Sequence, residues 1–125
     1  VNLSPDMEAR VLALADRIDG QPVNRTSEPA ETVSEKAFMA EVVKLAKREG
    51  WRVYHTHDSR KSEAGFPDLV LVRERIIYAE LKTATGRLTA AQSNWLEAIR
   101  DTGTSAFEWR PKDWPEIVAV LSRKA

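Results

Sequence analysis

Asp68, Glu80 and Lys82 are the residues whose types and spacing could do chemistry together. They sit in GFPDLVLVRERIIYAELK, residues 65–82. Eleven residues separate the two acids, which is room for one strand, a tight turn and most of a second strand. A hairpin of that length brings Asp68 and Glu80 side by side at neighbouring strand ends. Glu80 and Lys82 are two apart, so on a strand they face the same side. Leu81 points away between them, but its backbone carbonyl can still turn toward a cation. Two adjacent carboxylates repel, and a hard divalent cation relieves that repulsion. Mg²⁺ or Mn²⁺ suits an all-oxygen donor set. Such an ion acidifies water and offsets charge building on phosphate, which is the requirement of phosphodiester hydrolysis. Charge at the end of so apolar a strand (Ile76, Ile77, Ala79, Leu81) is costly unless it is paired or metal-bound.

The elements that must position these groups can be read along the chain. Residues 33–49 have helical periodicity and stop at Gly50. Arg52–His57 predicts a strand, and HDSRKSEAGFP a polar loop. Asp68–Val72 and Ile76–Lys82 predict a hairpin around an Arg-Glu-Arg turn. Residues 90–101 predict a helix, Ser105–Arg110 a strand and Asp113–Arg123 a last helix, with Asp113 and Glu116 at capping-box spacing. The order α-β-β-β-α-β-α predicts an α/β fold, a small mixed sheet flanked by helices.

Ahead of this body lies an arm. Residues 1–34 carry six acids and three bases. Ser4 and Pro5 suit a helix start, and Val11, Leu12, Leu14 and Ile18 give it a thin apolar stripe. Residues 19–31 are polar with two prolines and read as a linker. The expected division is therefore an N-terminal helical arm and linker, 1–31, and one domain, 32–125. The arm's stripe needs a partner, and dimer contacts are one way to supply it.

Composition narrows the classes. The chain has 125 residues, 42% hydrophobic and 30% charged, the balance of a globular domain. It has no cysteine, so thiol nucleophiles, Cys-based zinc sites and disulfide frameworks are excluded. No apolar run is long enough to span a bilayer, and no signal-like segment opens the chain, so a cytoplasmic location is expected. Nineteen bases balance nineteen acids, so net charge leaves a nucleic-acid partner open.

Gly65-x-Pro67-Asp68, then Glu80-x-Lys82, then Gln92, resembles the PD-(D/E)xK nuclease superfamily. The pattern is closer still to its VRR-NUC family, in particular the small stand-alone phage and bacterial members. The likeness runs over about residues 34–118 and takes in Gly50-Trp51, Ser59-Arg60-Lys61, Leu88-Thr89, Trp95 and Trp109-Arg110-Pro111 with Asp113. It implies a restriction-endonuclease-like core and Mg²⁺- or Mn²⁺-dependent endonuclease cleavage of DNA. It further implies homodimers that act on branched DNA such as Holliday junctions. A nicking or restriction-type enzyme on linear duplex, and a non-cleaving DNA-binding module of the same fold, remain alternatives.

The family also carries an acid on its first core helix, which here is Glu35 or Glu41. On a helical wheel Glu35 falls within the stripe of Phe38, Met39, Val42, Leu45 and Ala46, and Glu41 at its margin, so Glu35 is preferred. Thr32-x-x-Glu35 also fits a capping box. Gln92 has two readings as well: Thr89-x-x-Gln92 fits a capping box, while the resemblance places Gln92 beside the catalytic lysine. The catalytic set is thus Glu35, Asp68, Glu80, Lys82 and Gln92. Metal ligands would be Asp68, Glu80, Glu35 and the Leu81 carbonyl. Arg60 and Lys61 are DNA-phosphate candidates, with Arg87 and Arg110 weaker ones. His55 and His57 could share a strand face, but without further ligands a zinc site there is disfavoured. The four tryptophans are expected to pack rather than to stack on bases.

Overall fold

A computed structural model describes residues 33–56 and 63–124. The predicted N-terminal helix and linker, together with Thr32, His57, Arg60 and Lys61, lie outside the described residues. The elements run α1 (Glu35–Arg48), β1 (Arg52–His55), β2 (Leu69–Val72), β3 (Ile76–Leu81), α2 (Ala90–Asp101), β4 (Ser105–Trp109), a 3-10 turn (Pro111–Asp113) and α3 (Trp114–Ser122). This is the predicted order with an added turn. The four strands form one sheet in sequence order. β1 and β2, and β2 and β3, pair antiparallel, whereas β4 joins β3 in parallel. A parallel neighbour needs a crossover, and α2 supplies it.

The sheet has two different faces because side chains alternate along each strand. Leu69, Leu71, Ile77, Ala79, Leu81 and Trp109 point to the main core. There they meet Phe38, Val42, Leu45 and Ala46 of α1 and Trp114, Ile117 and Leu121 of α3. Both helices show the i, i+3, i+4 spacing that such a stripe requires. The alternate residues Tyr78 and Glu80 face α2, and Gln92 of that helix bonds Glu80. Helices thus cover both sides of a thin sheet.

Local signals set the ends. Ser34 caps α1, its Oγ accepting from the Ala37 N–H at 2.9 Å. This removes the expected Thr32–Glu35 capping box: the helix starts two residues later than that pattern requires, and Glu35 occupies its first position. Gly50 turns the chain out of α1 at φ +92°, a conformation that side-chain-bearing residues resist. The expected Asp113–Glu116 capping box also gives way. Pro111 fixes a 3-10 turn, and Asp113 Oδ2 reaches back to the Arg110 N–H at 2.9 Å instead of capping α3.

An arginine clasp closes the end of the sheet away from Asp68. The β2–β3 turn carries Arg73 and Arg75, both over the Trp51 ring at 4.3 and 5.0 Å. Arg73 donates to the carbonyls of Glu49 and Leu121, each at 3.0 Å, and Arg75 to that of Val120 at 2.9 Å. A single turn thus donates to carbonyls at the C-terminal ends of two helices. Trp51 Nε1 donates to the Leu121 carbonyl from beneath, at 2.8 Å. Trp51, Trp109 and Trp114 are all core residues, as expected.

Candidate active site

The hairpin register determines which acids meet. Leu69 pairs with Ala79, so the same register carried one residue further sets Asp68 opposite Glu80. Asp68 is anchored twice. Its Oδ2 accepts from the Leu81 N–H at 2.9 Å. Its own carbonyl accepts from the Thr56 N–H at 2.8 Å, while Thr56 Oγ1 donates to the Pro67 carbonyl at 2.8 Å. The loop before Asp68 then passes close over α2. A Cβ on Gly65 would lie 2.5 Å from the Ala91 carbonyl carbon, and φ there is +87°. Only glycine allows this approach. Phe66 fills the space beside it, edge-on to Trp95 at 5.1 Å and to Tyr78 at 6.0 Å. Trp95 Nε1 donates to the Ala64 carbonyl at 3.1 Å, which gives this tryptophan its packing role.

Glu80 is 2% exposed, the only charged residue buried to that degree among the described residues. Its Oε2 accepts from Gln92 Nε2 at 2.9 Å and lies 3.8 Å from Lys82 Nζ. Its Oε1 is buried and has no hydrogen-bond partner among the described residues. Burial pushes the Glu80 carboxyl up to about 8; the charges of Asp68 and Glu35 add to the rise, and Lys82 opposes it. Leu81 packs fully into the core between Glu80 and Lys82, as the alternation requires.

Glu35 stands at the start of α1 and is exposed, not part of the buried stripe that its place on the wheel suggests. It is the first residue of the helix, three positions before Phe38, where the buried stripe begins. Its carboxyl is nevertheless held above the usual range, first by partial desolvation and then by Asp68, with Lys82 opposing. The three acids and the lysine therefore share one electrostatic environment. Gln92 forms the expected capping box and also reaches Glu80. Its Oε1 accepts from the Thr89 N–H at 2.8 Å and its N–H donates to Thr89 Oγ1 at 3.1 Å, while Nε2 holds Glu80.

The other candidates fall elsewhere. Arg87 is exposed. His55 is exposed on edge strand β1, and its suggested partner His57 is outside the described residues. Arg110 is tied to Glu108 and to the Thr83 carbonyl, which the sequence does not reveal. Among the described residues, no three His, Cys, Asp or Glu side chains are close enough to cage an ion by themselves. No helix among them is long and apolar enough to cross a membrane.

The VRR-NUC domain model matches residues 12–111. That span begins well before the 31/32 boundary expected from the linker composition. Among solved structures the chain is similar to a VRR_NUC domain protein, with a TM-score of 0.59 and 20% identity over 71% of this chain and 85% of that one. A search of curated proteins finds no significant match. The family model covers most of the sequence, and the solved relative shares the mixed sheet with flanking helices. The chain belongs to the VRR-NUC family and has its nuclease-type fold.

Proposed function

We propose that this protein is a metal-dependent DNA endonuclease that uses Mg²⁺ or Mn²⁺ and acts on branched duplexes such as four-way junctions, as a homodimer. The observation that carries the reading is the pairing of Asp68 with Glu80 at adjoining strand ends, with Glu80 Oε1 buried and unbonded among the described residues. A buried carboxylate oxygen without a donor is costly. A divalent cation satisfies it, and the all-oxygen donor set fits Mg²⁺ or Mn²⁺, which retain several waters.

Asp68, Glu80 and the Leu81 carbonyl would hold the ion, with Glu35 ordering its hydration from α1. When bound, the ion supplies Lewis acidity toward water and the scissile phosphate. The chain's own groups do the rest. The Leu81 N–H fixes one Asp68 oxygen, and the other would be available to the ion. Gln92 fixes one Glu80 oxygen and leaves the second, buried and unbonded among the described residues, for the ion. Lys82, 14% exposed on its side chain and 3.8 Å from Glu80, is placed to orient an attacking water and to balance phosphate charge. Arg60 and Lys61, in the segment before Gly65, would contact backbone phosphates and make affinity salt-dependent.

The test is cleavage of end-labelled four-way junction and of linear duplex of the same sequence, each with Mg²⁺, Mn²⁺ or EDTA. Metal-dependent junction cutting that Lys82→Ala abolishes supports the reading. Preference for linear duplex makes the protein a nicking or restriction-type nuclease. Binding without cutting makes it a DNA-binding module.

A further inference from the structure

Lys82 stands one residue beyond the last strand residue of β3, where a chain end frays unless it is held. Most of the holding groups come from the end of β4 and the turn that follows it. The Lys82 N–H donates to the Trp109 carbonyl at 2.9 Å, which extends the β3–β4 ladder by one bond. The next carbonyl along, that of Thr83, accepts from Arg110 Nη1. The Arg110 guanidinium is itself fixed by Glu108 Oε2, which accepts from both Nε and Nη2. Glu108 is in register with Glu80 on the neighbouring strand. The Arg110 backbone is locked in turn: its N–H donates to Asp113 Oδ2 at 2.9 Å and its carbonyl accepts from the Asp113 N–H at 2.8 Å. Thr83 also closes the loop after Lys82, its Oγ1 accepting from the Gly86 N–H at 3.0 Å.

We infer that Arg110, braced by Glu108, is a positioning residue for Lys82: it clamps the Thr83 carbonyl and so fixes the backbone from which the lysine reaches Glu80. The inference rests on the proposed nuclease chemistry and adds a residue outside the catalytic set of Glu35, Asp68, Glu80, Lys82 and Gln92. A lysine has four rotatable side-chain bonds and loses considerable freedom when held. Fixing its backbone on both sides reduces the volume that Nζ explores. A guanidinium can do this because its planar fork bonds a carboxylate and a carbonyl at once, which an ammonium point charge does less well. The same engagement removes Arg110 from the set of phosphate contacts. Its side chain is 17% exposed, and its polar edge faces Glu108 and Thr83.

The test compares wild type, Arg110→Ala, Arg110→Lys and Glu108→Gln on the cut substrate. Amide exchange of Lys82–Gly86 is followed in parallel. The expected result for Arg110→Ala is a fall in kcat of about ten- to a hundredfold, the cost of a misplaced catalytic group. KM and the salt dependence of binding should stay within about twofold. Arg110→Lys and Glu108→Gln should fall between wild type and alanine, and Lys82 and Gly86 amides should exchange faster in the order of lost activity. An unchanged kcat overturns the inference. So does a raised KM with a salt slope lower by about one, the mark of a lost phosphate contact. Unchanged exchange at Lys82 and Gly86 overturns it independently of any cleavage. Absence of cutting by the wild type counts against the nuclease reading alone, and exchange then decides whether the clamp exists.

Discussion

Glu80 should make the metal-free protein less stable as pH rises, and this can be worked from its surroundings. The group is ordinary in the unfolded chain, near 4.5, and raised to about 8 in the fold. An acid with a raised folded value gives the native state extra proton affinity. Its stabilising contribution is complete below the unfolded value and is lost as pH climbs through the folded one. Each tenfold gain in proton affinity corresponds to about 1.4 kcal/mol, so the full effect approaches about 5 kcal/mol. Between pH 5 and pH 8 roughly 3 kcal/mol of that should disappear, and less where water reaches the ionised carboxylate. Against a typical net stability of about 5–15 kcal/mol, such a loss is easily measured.

The assay is urea unfolding in EDTA at several pH values for wild type and Glu80→Gln. The glutamine keeps an oxygen for Gln92 Nε2 and cannot ionise. The wild-type midpoint should fall from pH 5 to pH 8, and the variant should lack most of that slope. Near pH 8 the variant should be the more stable of the two, although it cuts no DNA. Excess Mg²⁺ or Mn²⁺ should reverse the wild-type slope, because bound metal favours the ionised carboxylates. Parallel pH curves for the two proteins in EDTA would refute the reasoning. Glu80 would then already be ionised in the fold and satisfied without metal.

Other perturbations separate the scaffold from the chemistry. Gly65→Ala adds a Cβ 2.5 Å from α2 backbone at a positive φ, so it should cost more than about 2 kcal/mol and abolish cutting; thermal melting and cleavage read both. Arg73→Ala frees helix-end carbonyls and uncovers Trp51, so it should lower stability by about 1–3 kcal/mol in urea unfolding and leave kcat of the remaining folded protein near wild type. Gln92→Ala breaks a capping box and removes a Glu80 donor, so both stability, by about 1 kcal/mol, and kcat should fall. Gln92→Glu keeps an acceptor for the Thr89 N–H but places a second acid against Glu80, so its kcat should fall further than its stability.

The order of elements was legible because each has its own period and stop. Phe38, Val42, Leu45 and Ala46 mark α1, and Gly50 ends it. The strand alternation also put Glu80 and Lys82 on one side and Leu81 in the core, and the structure agrees. What escaped the sequence depends on partners distant along the chain. Arg73 and Arg75 read only as a turn, because the carbonyls they bond lie 24 to 50 residues away and carry no side-chain signal. Arg110 read as a phosphate contact for the same reason. Its bond to Thr83 spans 27 residues, although Glu108-x-Arg110 on one strand face was a usable hint. Asp113 does stand at the N-cap position of α3, but its side chain closes the turn that Pro111 inserts instead of a box with Glu116, which a spacing count does not register.

The way the site is held explains why so short a motif can specify it. Neither of its strand-borne acids depends on a long flexible reach. Asp68 is set by the hairpin register and a backbone N–H of the opposing strand, Glu80 by a helix-capping glutamine, and Lys82 by the Trp109 carbonyl of a parallel neighbour. Each tether belongs to an element that the core would build anyway. The spacing of twelve between Asp68 and Glu80 is then a consequence of hairpin length. A change of one residue in the 73–75 turn would slip the register, turn Glu80 toward the main core and Leu81 toward α2, and separate the pair. The turn is thus as much a determinant of the site as the acids themselves. The arginine clasp that pins it to two helix ends protects the geometry of a site at the opposite end of the sheet.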